Sequence, residues 1–556
     1  MFFRKLQEVF RSKAADNQNA SEFVLVPKAN AANLLKTSLG EEFLRYILNL
    51  DESSDINEKL VSLPDDQLCM LTQMIILAIP VIIDNPDLST IPGTFSRRIS
   101  SNDTVANQFR RANGGAVETP VAFEDDLLQY FSCRIRELLP SLKIREYPIS
   151  SDTQARQDRL ANFISDDLAE LESVLLKESA VNKLLASVSV DPCDPIGSVF
   201  IFAPPCIMGN LALPGIKQAL LHDTLYELSI IEPDMRGTSD SIRSSLSISA
   251  NRFREILSGA ETDIQVAVIF SNVIPSNNSP INIAGDVLAK PSSFEKRFII
   301  PQGLNEPLVL RTSMNIRMAA VGGSEVQLDN PSSMQSFLNQ VSKANLNMSE
   351  FNRIMDQVTL LRTSMILSSV GTSLARVRYC GSYFSNPLIP IKSHISTNSS
   401  NEGPLRHEST EFDNAHLTEW FQLLEHSKIP SNTLRRFVRA IADRESLEDS
   451  FVDLMIFVES LFSESQDTTF KISLCVSKIL GEGNREARQA KFRKMKMLYK
   501  TRSAIVHGRQ AALDKLDQQL SELEDIAVDL LKSLLTTHAF VLEAKLENRI
   551  ELLALE

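Results

Sequence analysis

From Arg485 to Gly508 the chain reads REARQAKFRKMKMLYKTRSAIVHG. Phe492, Met495, Leu498, Tyr499, Arg502, Ile505 and Val506 recur at helical spacing, and Gly508 supplies a helix stop. The stretch therefore predicts a long helix with Arg502 on the stripe that packs inward. A guanidinium there needs a partner or a cleft, because burying an unpaired charge is costly. His507 follows five residues later, about 140° further round the helix at 100° per residue, in the last turn where carbonyl ends favour a cation.

Upstream, Leu447, Phe451, Leu454, Met455, Val458, Leu461 and Phe462 mark one face of another helix. Ile472, Leu474, Cys475, Ile479 and Leu480 mark a second, which ends at Gly481 and Gly483. Residues 415–556 thus read as an all-α bundle. Before it, Ile391 to Asn414 is rich in Ser, Asn, Gly and charge, and is expected to be a linker.

Residues 121–390 have a different texture. FEDDLLQYFSCRIRELL and LANFISDDLAELESVLL predict amphipathic helices. GSVFIFAPP, LYELSII, DIQVAVIF, KRFIIP and LVLRTSMNIRMAAV are short apolar runs read as strands, with helical spacing from Met334 to Ser369 and a further strand at ARVRYCGSYF. Residues 1–120 read as a helical region. Within it, Leu68 to Ile83 is too short and too interrupted, by Gln73 and Pro80, to span a bilayer, so a buried helix is expected. SRRISSNDTVANQFRRANGGAVETP reads as a surface loop. The fold class expected is α+β and multidomain, a mixed α/β N-terminal region followed by the helical bundle.

The amino-terminal MFFRKLQEVFRSK puts Phe2, Phe3, Leu6, Val9 and Phe10 on one face, which predicts a helix docked on the protein's own core. An interfacial helix with Arg4, Lys5, Arg11 and Lys13 toward headgroups is the alternative. The stretch lacks the apolar core of a secretory signal, so cytoplasmic residence without stable membrane insertion is expected. Six cysteines without a C-x-x-C pair fit a reducing compartment and offer no cysteine zinc site. The histidines His222, His394, His407, His416, His426 and His538 show no metal-ligand spacing, and His222 beside Asp223 reads as polar pairing. DPCDP around Cys193 reads as a rigid turn. No Gly-rich phosphate loop, G-x-S-x-G elbow or H-E-x-x-H occurs. No metal and no cofactor is expected.

The formal charge of −13 would repel nucleic acid as a whole-molecule field. The stretch Arg485 to Arg509, however, holds nine basic residues and one acid, Glu486; taking these from the chain's 57 and 70 leaves 48 against 69, or −21, elsewhere. A basic helix on an acidic body can concentrate phosphates at one place. It can equally be a solvated face salt-bridged to the acidic stretch Asp514 to Asp529.

The pair Arg502-x4-His507 within LYKTRSAIVHG resembles the HEPN family in its Apea-like branch, in which Leu-Tyr precedes Arg-Ser and Gly follows the His. FVESLF around Glu459 resembles that branch's first core helix. The likeness covers about 60 residues, from Phe451 to Arg509. It departs from many active members of the wider family in having Ser503 where they carry Asn. The resemblance implies a helical bundle that dimerises and acts as a metal-independent endoribonuclease in prokaryotic anti-phage (abortive-infection) or toxin-like systems. His507 would be the base and Arg502 the phosphate stabiliser, with Ser503, Tyr499 and Glu459 supporting.

The chemistry agrees with that implication. RNA carries its own nucleophile, the 2′-hydroxyl, and needs a base that works near neutrality and a cation for the phosphorane. Imidazole and guanidinium supply both. Arg493, Lys496, Lys500 and Arg509 are the candidate RNA-binding residues. Products would carry 2′,3′-cyclic phosphates, and DNA would be inert for want of the 2′-hydroxyl. The expected partners are RNA, a second copy of the chain and a phage-derived trigger, with residues 1–390 as sensor or regulator. The competing expectation is a non-catalytic dimerisation or nucleotide-binding scaffold, consistent with Ser503 and the acidic total.

Overall fold

The computed structural model describes residues 28–84, 95–96, 98–100, 103–144, 168–188, 193, 195–197, 199–202, 208–300, 304–322, 349–371, 373–388, 409–462, 469–481, 483–508 and 513–555. The amino-terminal amphipathic stretch, most of the expected linker (391–408) and Arg509 lie outside the described residues.

The chain begins with four helices, α1 (Lys28–Leu39), α2 (Glu41–Leu48), α3 (Ile56–Ser62) and α4 (Asp65–Asp84). Leu35, Phe43, Ile47 and Leu71 are buried in one core together with Phe95 and Phe109, and Phe43 meets Phe95 edge-on at 4.9 Å. The apolar run from Leu68 lies inside α4, with Leu68, Met70, Leu71, Met74 and Ile75 buried. Among the described residues no helix is long and apolar enough to cross a membrane.

The stretch expected as a surface loop is irregular and mostly exposed from Asn113 to Pro120, but its first part is structured. Strands β1 (Arg98–Ser100) and β2 (Asp103–Thr104) pair antiparallel, and α5 (Val105–Ala112) follows. The Thr104 hydroxyl accepts from the Asn107 amide at 3.3 Å, an N-cap. Val105, Ala106 and Phe109 are then enough to bury one face of a helix too short to show periodicity.

Helices α6 (Asp126–Leu138), α7 (Leu168–Leu175) and α8 (Ser179–Ser187) lead into β3 (Val199–Phe202) and β4 (Met208–Asn210). After α9 (Leu213–Ile231) and α10 (Ser239–Leu257) come β5 (Thr262–Ser271), β6 (Val273–Pro275), β7 (Ile281–Ile283), β8 (Asp286–Ala289), β9 (Leu308–Ile316) and β10 (Ala319–Gly322). Helix α11 (Ser349–Leu367), β11 (Arg378–Ser385) and β12 (Thr410–Phe412) complete the middle of the chain. The main sheet is antiparallel in the order β11-β5-β9-β8-β7, and β10-β3-β4 form a smaller one.

Successive strand residues point to opposite faces. On β11, Tyr383 meets Tyr226 of α9 at 5.7 Å, while its neighbour Phe384 meets Phe351 of α11 at 6.3 Å. Helices therefore cover both faces of the sheet. This explains why β5 is buried without interruption from Val266 to Ser271.

Two runs read as strands are not strands. LYELSII belongs to α9, which is buried on all sides from Ile216 to Ser229; a short apolar run cannot tell a strand from an enclosed helix. KRFIIP contributes to a π-helical turn, Glu295–Ile299. Its start is a reciprocal cap in which the Ser292 amide donates to Glu295 Oε2 at 2.6 Å and the Glu295 amide donates to Ser292 Oγ at 3.2 Å.

The carboxy-terminal region is helical: α12 (Asn414–Glu425), α13 (Ser431–Val438), α14 (Leu447–Ser460), α15 (Thr469–Leu480), α16 (Arg485–Val506), α17 (Leu513–Leu535), α18 (Ala539–Glu543) and α19 (Arg549–Leu555). Phe451, Leu454, Phe457, Val458, Ile472, Met495, Leu498 and Leu523 lie in its core. Gly481 lets α16 cross close to the end of α15, since a Cβ there would meet the Arg488 backbone at 2.7 Å.

The seam between middle and end runs through secondary structure. Residues 410–412, at the close of the expected linker, form β12, which pairs in parallel with β6. Leu417 and Phe421 of α12 belong to the middle core. Helix α11 serves both sides, giving Ile354, Val358, Leu361 and Met365 to the middle core and Ile366 and Leu367 to the bundle.

Candidate active site

Helix α16 starts at Asn484, whose side chain accepts from the amides of Glu486 and Ala487 at 2.8 and 3.3 Å. It lies on the bundle surface and buries only Met495, Leu498 and Tyr499. The inward stripe is thus narrower than the spacing predicts: Phe492 and Ile505 are half-buried, and Val506 is exposed.

Arg502 is half-buried on the flank of that stripe. Its Nη1 donates to Glu459 Oε1 on α14 at 2.8 Å, with the two side chains 30% and 17% exposed. Its buried Nε has no partner among the described residues. Nη1 is anchored, Nε is sealed, and Nη2 of the part-exposed head has no partner among the described residues. Tyr499 sits one turn earlier on the helix and is buried, and Ser503 is exposed.

His507 caps the helix, its backbone amide donating to the Ser503 carbonyl at 3.1 Å. Gly508 follows at φ 67°, the left-handed conformation that ends the helix. The imidazole is exposed and has no side-chain partner among the described residues. The structure therefore brings together Arg502 and Glu459, buries Tyr499 one turn earlier on α16, and sets His507 at the solvent end of the same helix.

Arg493, Lys496 and Lys500 are exposed, and none is in an ion pair among the described residues. Lys494 does pair with Glu522 of the acidic α17, and Thr501 donates to Gln519 of α17 at 2.8 Å. The salt-bridged alternative thus accounts for one cation of the set and leaves the outer face open.

An aromatic feature escaped the sequence reading. Phe470, in the first turn of α15, is 63% exposed and meets Phe492 of α16 edge-on at 5.5 Å. Lys496 Nζ lies over the Phe492 ring, 5.8 Å from its centroid. The available signal was a large aromatic standing off the Ile472, Cys475, Ile479 stripe.

Away from α16 the described residues hold a buried charge cluster. Fully buried Asp223 accepts from Arg252 at 2.8 Å, Ser249 at 2.7 Å and Ser385 at 2.6 Å, and Arg252 also reaches Glu227 at 2.6 Å. Burial pushes the Glu227 carboxyl above its ordinary value, with Arg252 opposing. Neighbouring His222 packs against Phe294 and Phe298, which also touch each other. Among the described residues no group of three His, Cys, Asp or Glu side chains could hold a metal, and Cys69, Cys133, Cys193, Cys380 and Cys475 are unbridged. The chain matches no protein-family model, no curated protein and no solved structure.

Proposed function

We propose that the carboxy-terminal bundle is a HEPN-type endoribonuclease domain that cuts RNA without a metal. The observation that supports this is the placement of an exposed imidazole, His507, at the end of a basic helix on which Arg502 is held by Glu459 with donors to spare.

In the proposed reaction His507 takes the proton of a ribose 2′-hydroxyl. The resulting oxygen attacks the adjacent phosphorus and the bond to the 5′-oxygen breaks as that oxygen takes a proton from a protonated His507 of the cleft, leaving a 2′,3′-cyclic phosphate and a 5′-hydroxyl end. Arg502 stabilises the charge gathered on the phosphorane oxygens. Arg493, Lys496 and Lys500 draw the strand to this face. A second chain contributes its own Arg502 and His507 to a shared cleft. Residues 1–390 act as sensor or regulator in an anti-phage or toxin-like system, with a phage-derived trigger.

The test is expression of the intact chain beside Arg502→Ala and His507→Ala, with purified protein incubated on RNA and on the same strand carrying one 2′-deoxyribose. Toxicity and cleavage confined to the intact chain, and blocked at the deoxy position, are expected. Equal tolerance of all three with RNA left whole would remove the nuclease reading. A scaffold would then remain, in which the Arg502 to Glu459 ion pair merely ties α16 to α14.

A further inference from the structure

We infer that Phe470 forms a base-stacking subsite for single-stranded RNA beside the candidate active site, an assignment that rests on the proposed nuclease reading and adds a substrate contact to it. Phe470 is the most exposed of the large apolar residues among the described residues, at 63%. This ring is held in place by its edge-on contact with Phe492, whose own face is taken by Lys496. Among the described residues Phe470 is therefore the ring left open.

Its surroundings select the occupant. At 100° per residue, Phe492, Lys496, Ser503 and His507 fall within about 60° of one another on α16. The ring pair and the imidazole thus share one side of the helix, separated along its axis by about 22 Å at 1.5 Å per residue. That distance is a few nucleotides of extended strand. Between and beside them Lys496 and Lys500 are exposed and form no ion pair among the described residues. Protein interfaces are depleted in lysine at their centres, so an apolar protein partner is a poor fit. Aromatic faces flanked by cations suit a strand whose bases stack and whose phosphates track the charge, without dependence on base identity.

The test uses the full chain carrying His507→Ala, so that RNA is not consumed, and fluorescence anisotropy with a labelled single-stranded 12-mer. Phe470→Leu is expected to weaken binding by roughly fivefold to a hundredfold, the range of one base stacked on an aromatic ring, while Phe470→Trp retains it. A single abasic nucleotide moved along the strand should reproduce the loss at one position, with no added loss in the Phe470→Leu protein. A 2-aminopurine at that position should be quenched in the parent and not in Phe470→Leu.

Parent-like affinity in Phe470→Leu, with no abasic position mattering, overturns the subsite and leaves the nuclease reading standing. If the parent binds no RNA and the unsubstituted chain leaves RNA whole, both fail. If Phe470→Leu changes only the sedimenting mass, the ring is a protein contact and the inference is wrong. The Phe470→Trp arm shows that any loss reflects the ring and not a failure to fold.

Discussion

Arg502 and Glu459, 43 residues apart in the chain, meet through Nη1 and Oε1 at 2.8 Å and join the basic helix to the first long helix of the bundle. Because the pair is partly exposed, its contribution to stability is about 0–1 kcal/mol. Its greater consequence is directional, since it fixes which edge of the guanidinium faces out. Glu459→Gln is expected to shift stability by less than about 1 kcal/mol yet lower RNA cleavage by roughly tenfold, through loss of orientation. Arg502→Lys should lower cleavage more, because an ammonium lacks the planar fork. Urea melts alongside single-turnover cleavage rates check both.

Removing His507 separates chemistry from folding more sharply. The side chain is exposed and without a side-chain partner among the described residues, so His507→Ala should change stability by no more than about 0.5 kcal/mol. Cleavage should fall by about 10²- to 10⁴-fold, the usual value of a positioned general base. Melting and rate measurements on one preparation decide it; a large loss of stability would make the imidazole a structural cap.

Glu524 of α17 gives the bundle an expected pH dependence. It is buried, pairs with Arg376 at 2.8 Å, and leaves its Oε1 without a partner among the described residues. Burial pushes its carboxyl above the ordinary value of 4.5, with Arg376 opposing. Below 4.5 the group is neutral whether folded or unfolded. As the pH rises toward the folded-state value the unfolded chain ionises first, so stability is lost at up to about 1.4 kcal/mol per pH unit and then levels off. Glu524→Gln should abolish this contribution. Denaturation midpoints of both proteins from pH 4 to 8 should show the wild-type minus variant difference falling and then flattening; a rising difference would reverse the assignment.

Gly481 should tolerate no side chain. A Cβ there would lie 2.6 Å from the Ser477 carbonyl oxygen and 2.7 Å from the Arg488 backbone. Gly481→Ala is expected to cost about 1–3 kcal/mol by overpacking. It should also weaken RNA cleavage by displacing α16 as a body. Calorimetry with the cleavage assay tests the link, and an unperturbed melt would show that the two helices do not cross as closely as described.

Much of the carboxy-terminal half was legible because its helices are long and one-sided. Leu447 to Phe462 and Arg485 to Val506 declare their faces over several turns, and α14 and α16 lie where the spacing predicts. LYELSII failed because a helix enclosed on every side has no polar face to reveal its period. KRFIIP failed although Ser292 and Glu295, the cap pair just before it, were in plain view. Val105 to Ala112 hid among polar residues because its helix rests on a Thr104 cap and three apolar side chains. At the candidate site, the spacing indicated that Arg502 needs a partner, and Glu459 came from the helix whose wording had already been singled out. Phe470 was missed since exposure is not written in periodicity.

The double allegiance of α11 reaches beyond packing. Its inner turns are locked into the sheet region while Arg362 joins Asp443 and Arg435 joins Asp356 across the seam. Cutting the chain at residue 414 would strip the bundle of Ile366 and Leu367 and of those ion pairs. The two halves are accordingly expected to melt in a single coupled transition, and a shift felt at the sheet has a stiff rod through which to reach the basic helix's supports.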